Sequence, residues 1–162
     1  MGNRTISIHY ESFENDLGLV PEDKKVLDAA RIATSLAYAP YSKFRVGAAA
    51  VLTDGQIIRG ANQENASFPA GNCAERVLLA ALSSLGTVET IVVMAISYEG
   101  DGLKNDKPLA PCGVCRQAMA EYEECIGKPF RLILAGQHGE VQVFENASSL
   151  LPFRFSGKEL PG

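Results

Sequence analysis

Apolar residues recur at helical spacing along Val26, Ala29, Ala30, Ala33, Leu36 and Ala37, after a proline at position 21 that suits a first helical turn and before Pro40. The spacing predicts a helix over 21–37. The next apolar segments, Val46 to Leu52 and Gln56 to Ala61, have strand length and flank Asp54-Gly55, a hairpin-turn signal, so two antiparallel strands are expected. Residues 62–72, rich in Asn, Ser, Pro and Gly, read as a loop. Cys73 to Ser84 reads as a buried helix that Gly86 is placed to end, and Thr90 to Tyr98, dense in Ile, Val and Met, as a central strand. A polar segment from Glu99 to Ala110 follows as a loop. Cys115, Ala118, Met119, Tyr122, Cys125 and Ile126 then share one helical face that begins just after Pro111. Phe130 to Ala135 and Val141 to Phe144 supply two more strands, and Asn146 can cap a short helix reaching Leu151. At the start of the chain Ile6, Ile8 and Tyr10 alternate with polar residues and Phe13 follows soon after, which fits a short strand or an extended arm. Strands separated by helices indicate an α/β sheet covered on both faces.

Composition narrows the class. The 162 residues are 46% hydrophobic and 21% charged, which fits one folded domain over 1–162 with residues 1–20 as an N-terminal arm. A net charge of −4, with no basic cluster longer than Lys24-Lys25, leaves no general attraction for a phosphate backbone. No apolar run approaches the roughly 18 residues of a membrane span, and no basic-then-apolar leader opens the chain. A cytoplasmic, reducing setting is expected, in which clustered cysteines indicate metal or redox chemistry rather than disulfides.

The informative cysteines lie in Cys73-Ala74-Glu75 and Pro111-Cys112-Gly113-Val114-Cys115, each opening an expected helix. A helix N-terminus favours thiolate over thiol, and thiolates bind zinc. A closed structural site needs four protein ligands. Cys125 lies ten residues beyond Cys115, about 15 Å along a continuous helix, and is expected to be an inert core residue. His9 and His138 have no ligand spacing. Three ligands, Cys73, Cys112 and Cys115, leave a tetrahedral position open for water whose pKa falls towards about 7. Glu75 follows Cys73 by two residues, about 200° around a helix, which suits an acid/base beside the metal better than another ligand. On its own Glu75 would only complement a helix N-terminus. The combination matches the zinc-deaminase signature of ligand, spacer, Glu and Pro-Cys-x-x-Cys, with Cys in place of His.

Further blocks extend the match. Ala39-Pro40-Tyr41-Ser42-Lys43-Phe44-Arg45-Val46-Gly47-Ala48, Asn62-Gln63-Glu64-Asn65-Ala66-Ser67, Gly71-Asn72-Cys73-Ala74-Glu75-Arg76 and Pro111 to Arg116-Gln117 occur in order, with Leu150-Leu151-Pro152, Phe155 and Leu160 near the end. In these residues, from about Ala39 to Leu160, the chain resembles the cytidine deaminase family, in particular its small, three-cysteine, homotetrameric zinc type.

The resemblance implies a three-layer α/β/α sandwich with a mixed five-stranded sheet. It implies Zn²⁺ on Cys73, Cys112 and Cys115, hydroxide attack at C4 of the cytosine ring, and Glu75 carrying protons from the water to ring N3 and the departing ammonia. Cytidine and deoxycytidine would give uridine and deoxyuridine, a pyrimidine-salvage reaction. By the same resemblance Arg76 compensates the thiolate charge, Asn62 and Glu64 bind the ribose 3′-hydroxyl, and Phe44 stacks on the base. The Ala74 N–H and the Ala110 carbonyl would bind the base, and Phe155 would enter a neighbouring subunit's site. Viewed alone, Asn62 and Glu64 fit an Asx-rich turn, Phe44 a core position and Phe155 a packed tail. Asn72, Phe68, the long 99–110 loop and the N-terminal arm depart from the family pattern. Two other readings stay open: a deaminase of another aminated heterocycle such as blasticidin S, and a non-catalytic zinc or thiol-redox module. The second leaves Glu75 and the ribose-like loop without a role.

Overall fold

A computed structural model of the chain describes residues 2–86 and 90–160. Within them one mixed sheet contains β1 (Glu11–Phe13), β2 (Phe44–Leu52), β3 (Ile57–Ala61), β4 (Ile91–Gly100), β5 (Arg131–Ala135) and β6 (Val141–Phe144). The strand order is β1-β6-β5-β4-β2-β3. The β4 and β5 pair is parallel, joined by the crossover helix α3 (Gly113–Ile126), and the other neighbouring pairs are antiparallel. Helix α1 (Pro21–Ala33) precedes β2, and α2 (Ala74–Ser84) lies between β3 and β4.

Alternation along the strands sorts side chains into two cores. Ala48, Ala50, Met94, Ile96, Leu132 and Leu134 pack with Leu78 of α2 and Met119 of α3. Ala49, Val93, Ala95 and Ile133 pack with Val26, Leu27 and Ala30 of α1. Buried Asp23 of α1 is paired with Arg131 of β5 on that second face.

The expected sheet of five strands gains a sixth. β1 adds antiparallel to β6, with Ser12 opposite Gln142, so the N-terminal arm contributes a strand after the alternating residues rather than through them. Ile6, Ile8 and Tyr10 remain exposed, and Tyr10 stacks on Phe144 with ring centroids 5.2 Å apart. The helix expected over 21–37 is α-helical only to Ala33 and tightens into a 3₁₀ turn at Thr34–Leu36. There the hydroxyls of Thr34 and Ser35 donate to the carbonyls of Arg31 and Ile32 at 2.7 and 2.8 Å, competing with the regular ladder. The Asp54-Gly55 turn forms as expected: Gly55 has φ +85° and its N–H donates to Leu52 at 2.9 Å. Cys125 is exposed, not in the core, because α3 turns Cys115, Met119, Ala120 and Glu123 inward instead.

Candidate active site

The two cysteine motifs meet because α2 and α3 begin side by side. Cys73 and Cys112 occupy the N-cap positions of these helices, and Cys115 lies in the first turn of α3. All three sulfurs therefore sit at positive helix ends. Cys73 Sγ is 3.8 Å from Cys112 Sγ, which is 3.5 Å from Cys115 Sγ. These distances exclude disulfides, whose S–S bond is about 2.05 Å. They match the separation of about 3.8 Å that follows for thiolates held at about 2.3 Å on one tetrahedral ion. The three ligand atoms lie within 4.8 Å of one another, and among the described residues no fourth His, Cys, Asp or Glu joins the group. The cluster thus fits a metal ion with one position left for a non-protein ligand.

Proton sharing among the three cysteines polarises the thiols. Hydrogen bonding from Cys115 lowers Cys73 to about 6, while the same bond and burial hold Cys115 protonated far above the ordinary thiol range. Such a cluster is ready to exchange protons for a cation. Glu75 is only 4% exposed, and burial pushes its carboxyl above the ordinary carboxylate range. Its side chain reaches the same pocket as Cys73 and Cys112.

That pocket has a volume of about 650 Å³. Phe44, Val46 and Ile96 form an apolar wall, and Asn62, Glu64 and Asn72 present polar groups. Phe44 stacks on Tyr98, with centroids 5.2 Å apart and planes inclined by 22°. Asn62 is held from both ends: its Oδ1 accepts from Val46 N–H at 2.8 Å and its Nδ2 donates to the Phe44 carbonyl at 3.0 Å. One amide N–H remains for a ligand. Glu64 Oε2 accepts from the N–H groups of Tyr41 and Ser42 at 2.9 and 3.3 Å. The Ser42 hydroxyl, helped by those backbone groups, holds its carboxyl below the ordinary range.

Ala74 is buried at the first position of α2, and Ala110 lines the pocket beside Pro111 and Cys112. Arg76 is exposed and makes no hydrogen bond to a sulfur; its charge alone reaches Cys73. Phe155 does not line this pocket. It is 58% exposed, with its carbonyl accepting from Gln117 Nε2 at 2.8 Å. His9 and His138 are exposed and outside the cysteine cluster. Tyr41 and Leu109 also line the pocket, and Phe68, an expected point of departure, packs edge-on against Tyr41 at its rim. Tyr41 lay within a recognised block; Leu109 carried no signal beyond preceding the Pro-Cys motif.

A six-stranded mixed sheet carrying three convergent thiols and a buried carboxyl at paired helix starts fits the arrangement of the zinc deaminases. Residues 20–128 match the family model described as "Cytidine and deoxycytidylate deaminase zinc-binding region", and the chain belongs to that family. A cytidine deaminase of Halalkalibacterium halodurans is 40% identical over 124 residues, covering 76% of this chain and 86% of that protein. One from Sporosarcina psychrophila is 36% identical over 137 residues, covering 85% and 93%. The crystal structure of cytidine deaminase from Burkholderia pseudomallei is similar with a TM-score of 0.69 at 41% identity, covering 81% of this chain and 97% of that one.

Proposed function

We propose that this protein is a zinc-dependent cytidine deaminase that converts cytidine and deoxycytidine to uridine and deoxyuridine with release of ammonia, in pyrimidine salvage. The observation that carries the reading is the cluster of Cys73, Cys112 and Cys115 with buried Glu75 beside it in one nucleoside-sized pocket. Zinc is the ion favoured by three thiolates in tetrahedral spacing, and it supplies a Lewis acid that makes water nucleophilic near neutral pH.

The protein groups have separate tasks. Glu75, held among apolar walls, takes a proton from the attacking water and passes it to N3 of the pyrimidine, then takes the proton of the hydroxyl added at C4 and passes it to the departing amino group. Its raised pKa suits a group that must both accept and donate. Phe44, braced by Tyr98, presents an aromatic face to the base. The Ala74 N–H and the Ala110 carbonyl address the edge of the ring. The spare N–H of Asn62 and the carboxylate of Glu64 bind the ribose 3′-hydroxyl, which both sugars possess. Arg76 offsets the negative charge of three thiolates around a divalent ion.

Charge separates nucleoside from nucleotide, a choice the family description leaves open. The pocket lining contains Glu64 and Glu75 and no Lys, Arg or His. A 5′-phosphate would meet the Glu64 carboxylate with no Lys, Arg or His among the described lining residues to offset it, so the free nucleoside is the better substrate. A second reading, deamination of another aminated heterocycle, draws on Phe68, Asn72 and Leu109, which give this pocket its own rim.

The finer structural features belong to the same reading. Residues 1–162 act as one domain, with helices layered on both faces of the sheet and residues 1–20 as an arm. The enzyme works as a homotetramer in which exposed Phe155 of one subunit completes a neighbour's pocket. Free cysteines suit a cytoplasmic location, and no helix among the described residues is long and apolar enough to cross a membrane. The test is ammonia release from a panel of cytidine, deoxycytidine, their 5′-monophosphates, cytosine and blasticidin S. Turnover of the two nucleosides at least ten times more efficient than that of the others supports the assignment. Preference for a monophosphate or for blasticidin S replaces it.

A further inference from the structure

The inward-facing polar side chains of α3 bind the C-terminal part of the chain. Glu123, 7% exposed, accepts from the N–H groups of Phe130, Ala147 and Ser148 at 3.1, 2.9 and 3.1 Å. Its carboxylate thereby satisfies the start of the 3₁₀ turn Ala147–Leu150, where free N–H groups would otherwise need other partners. Seven residues earlier on α3, Arg116 reaches the other end of that turn, donating from Nη1 to the Leu150 carbonyl at 3.2 Å.

The same guanidinium faces the metal cluster's backbone. Arg116 Nε donates to the Pro111 carbonyl at 2.8 Å. Pro111 is buried, directly precedes Cys112, and forms the pocket wall together with Ala110 and Cys112. Its carbonyl lies just outside the helix and has no backbone donor among the described residues. Without Arg116 that acceptor would be unsatisfied, and its peptide plane, which sets the entry into Cys112, would be free to turn.

We infer that Arg116 is a positioning residue for the metal cluster: by bridging the carbonyls of Pro111 and Leu150 it fixes the Ala110–Pro111–Cys112 wall and makes the C-terminal 3₁₀ turn part of the support of Cys112. The inference rests on the reading that the three cysteines hold zinc. A planar fork with donors in fixed directions can serve two carbonyls at once, whereas an ammonium on a flexible stem holds neither direction. Preservation of charge alone therefore does not preserve the role.

The experiment compares the wild-type protein with Arg116→Lys and Arg116→Ala. It measures the rate of zinc transfer to a chromogenic chelator, the thiolate-to-metal absorption of the Co²⁺-substituted protein, the kcat and KM for cytidine, and the melting temperature. In both variants zinc transfer is expected to quicken at least fivefold, the Co²⁺ spectrum to change and KM to rise at least threefold, with Lys giving no rescue. A loss of folded fraction alone would lower kcat and leave KM, spectrum and transfer rate of the folded molecules untouched. If Arg116→Ala does not fold, Arg116→Lys decides. Wild-type transfer rate, spectrum and KM in Arg116→Lys overturn the inference, even with a lower melting temperature. A wild-type protein that neither retains zinc nor deaminates cytidine overturns the functional reading itself, so the two failures are distinguishable.

Discussion

Gly60 on β3 lies directly beneath Ala74 on α2: a Cβ at Gly60 would stand 2.5 Å from the Ala74 carbonyl oxygen and 2.6 Å from the Leu78 nitrogen. This close approach seats the first turn of α2 on the sheet and so delivers Cys73 and Glu75 to the pocket. Gly60→Ala must push backbone away from backbone, since both of these neighbouring atoms belong to the main chain. We expect a destabilisation of about 1–3 kcal/mol, the usual range for overpacking, together with lower zinc content. Urea unfolding and metal analysis of the same preparation check it; a variant with wild-type stability and metal content would show that α2 does not need this contact.

Replacing Glu75 by Gln keeps the size of the side chain and removes its ability to carry protons. Turnover of cytidine should fall roughly a hundred- to ten-thousand-fold, the range for loss of a positioned acid/base, while zinc content stays at the wild-type level. The cytidine absorbance assay paired with metal quantification measures both. Retained turnover would remove Glu75 from the proton-transfer role.

At Glu64 the expected signature lies in binding. The N–H groups of Tyr41 and Ser42 hold its Oε2 and so fix the carboxylate at the pocket wall, where it can accept from the sugar. Glu64→Gln should raise KM for cytidine and for deoxycytidine alike, about tenfold, in keeping with loss of a charge-assisted hydrogen bond. Equal KM values in wild type and variant, from steady-state kinetics, would place the sugar elsewhere.

Much of this site was legible because its chemistry is local. Cys73, Glu75, Cys112 and Cys115 each lie in a short motif at a helix start, and both helix starts carried their own signals. Their meeting across 39 positions is not a local property; it followed from the family resemblance, and from the sheet once the fold was known. Periodicity alone misled at Cys125, because a stripe of apolar residues spans more of a helix than the strip that touches the core. The N-terminal segment reads as a short strand or an arm, and β1 adds to the expected five because three residues, Glu11 to Phe13, pair with β6 through their backbone and need no long alternating pattern. Glu123 was silent, and Arg116 stood in a matching block without a role, for a similar reason: their partners are carbonyls and N–H groups of other segments, which any sequence supplies.

The N-terminal segment is tied to α1 by Asp16, which accepts from Lys24 Nζ at 2.7 Å and also pairs with Arg31. Hydrogen bonds from Lys24 and Arg31 hold the Asp16 carboxyl below its ordinary value. A depressed folded pKa contributes stability that is present above the unfolded value of about 3.9 and is lost as pH falls through the lower folded value. Asp16→Asn should therefore lower the melting temperature at pH 7, by the equivalent of about 0.2–1 kcal/mol for partly exposed pairs, and the difference should vanish in strong acid. Melting curves of both proteins between pH 7 and pH 2 test this. A difference that persists unchanged to the lowest pH would assign the effect to packing rather than charge.

Zinc stoichiometry measured alongside cytidine turnover, before and after chelation, bears most directly on the three-thiolate site. One zinc per chain is expected, with turnover lost in step with metal removal and restored by added zinc. Full turnover by metal-free protein, or a tightly held zinc that remains after Cys73, Cys112 and Cys115 are all replaced by Ser, would contradict it.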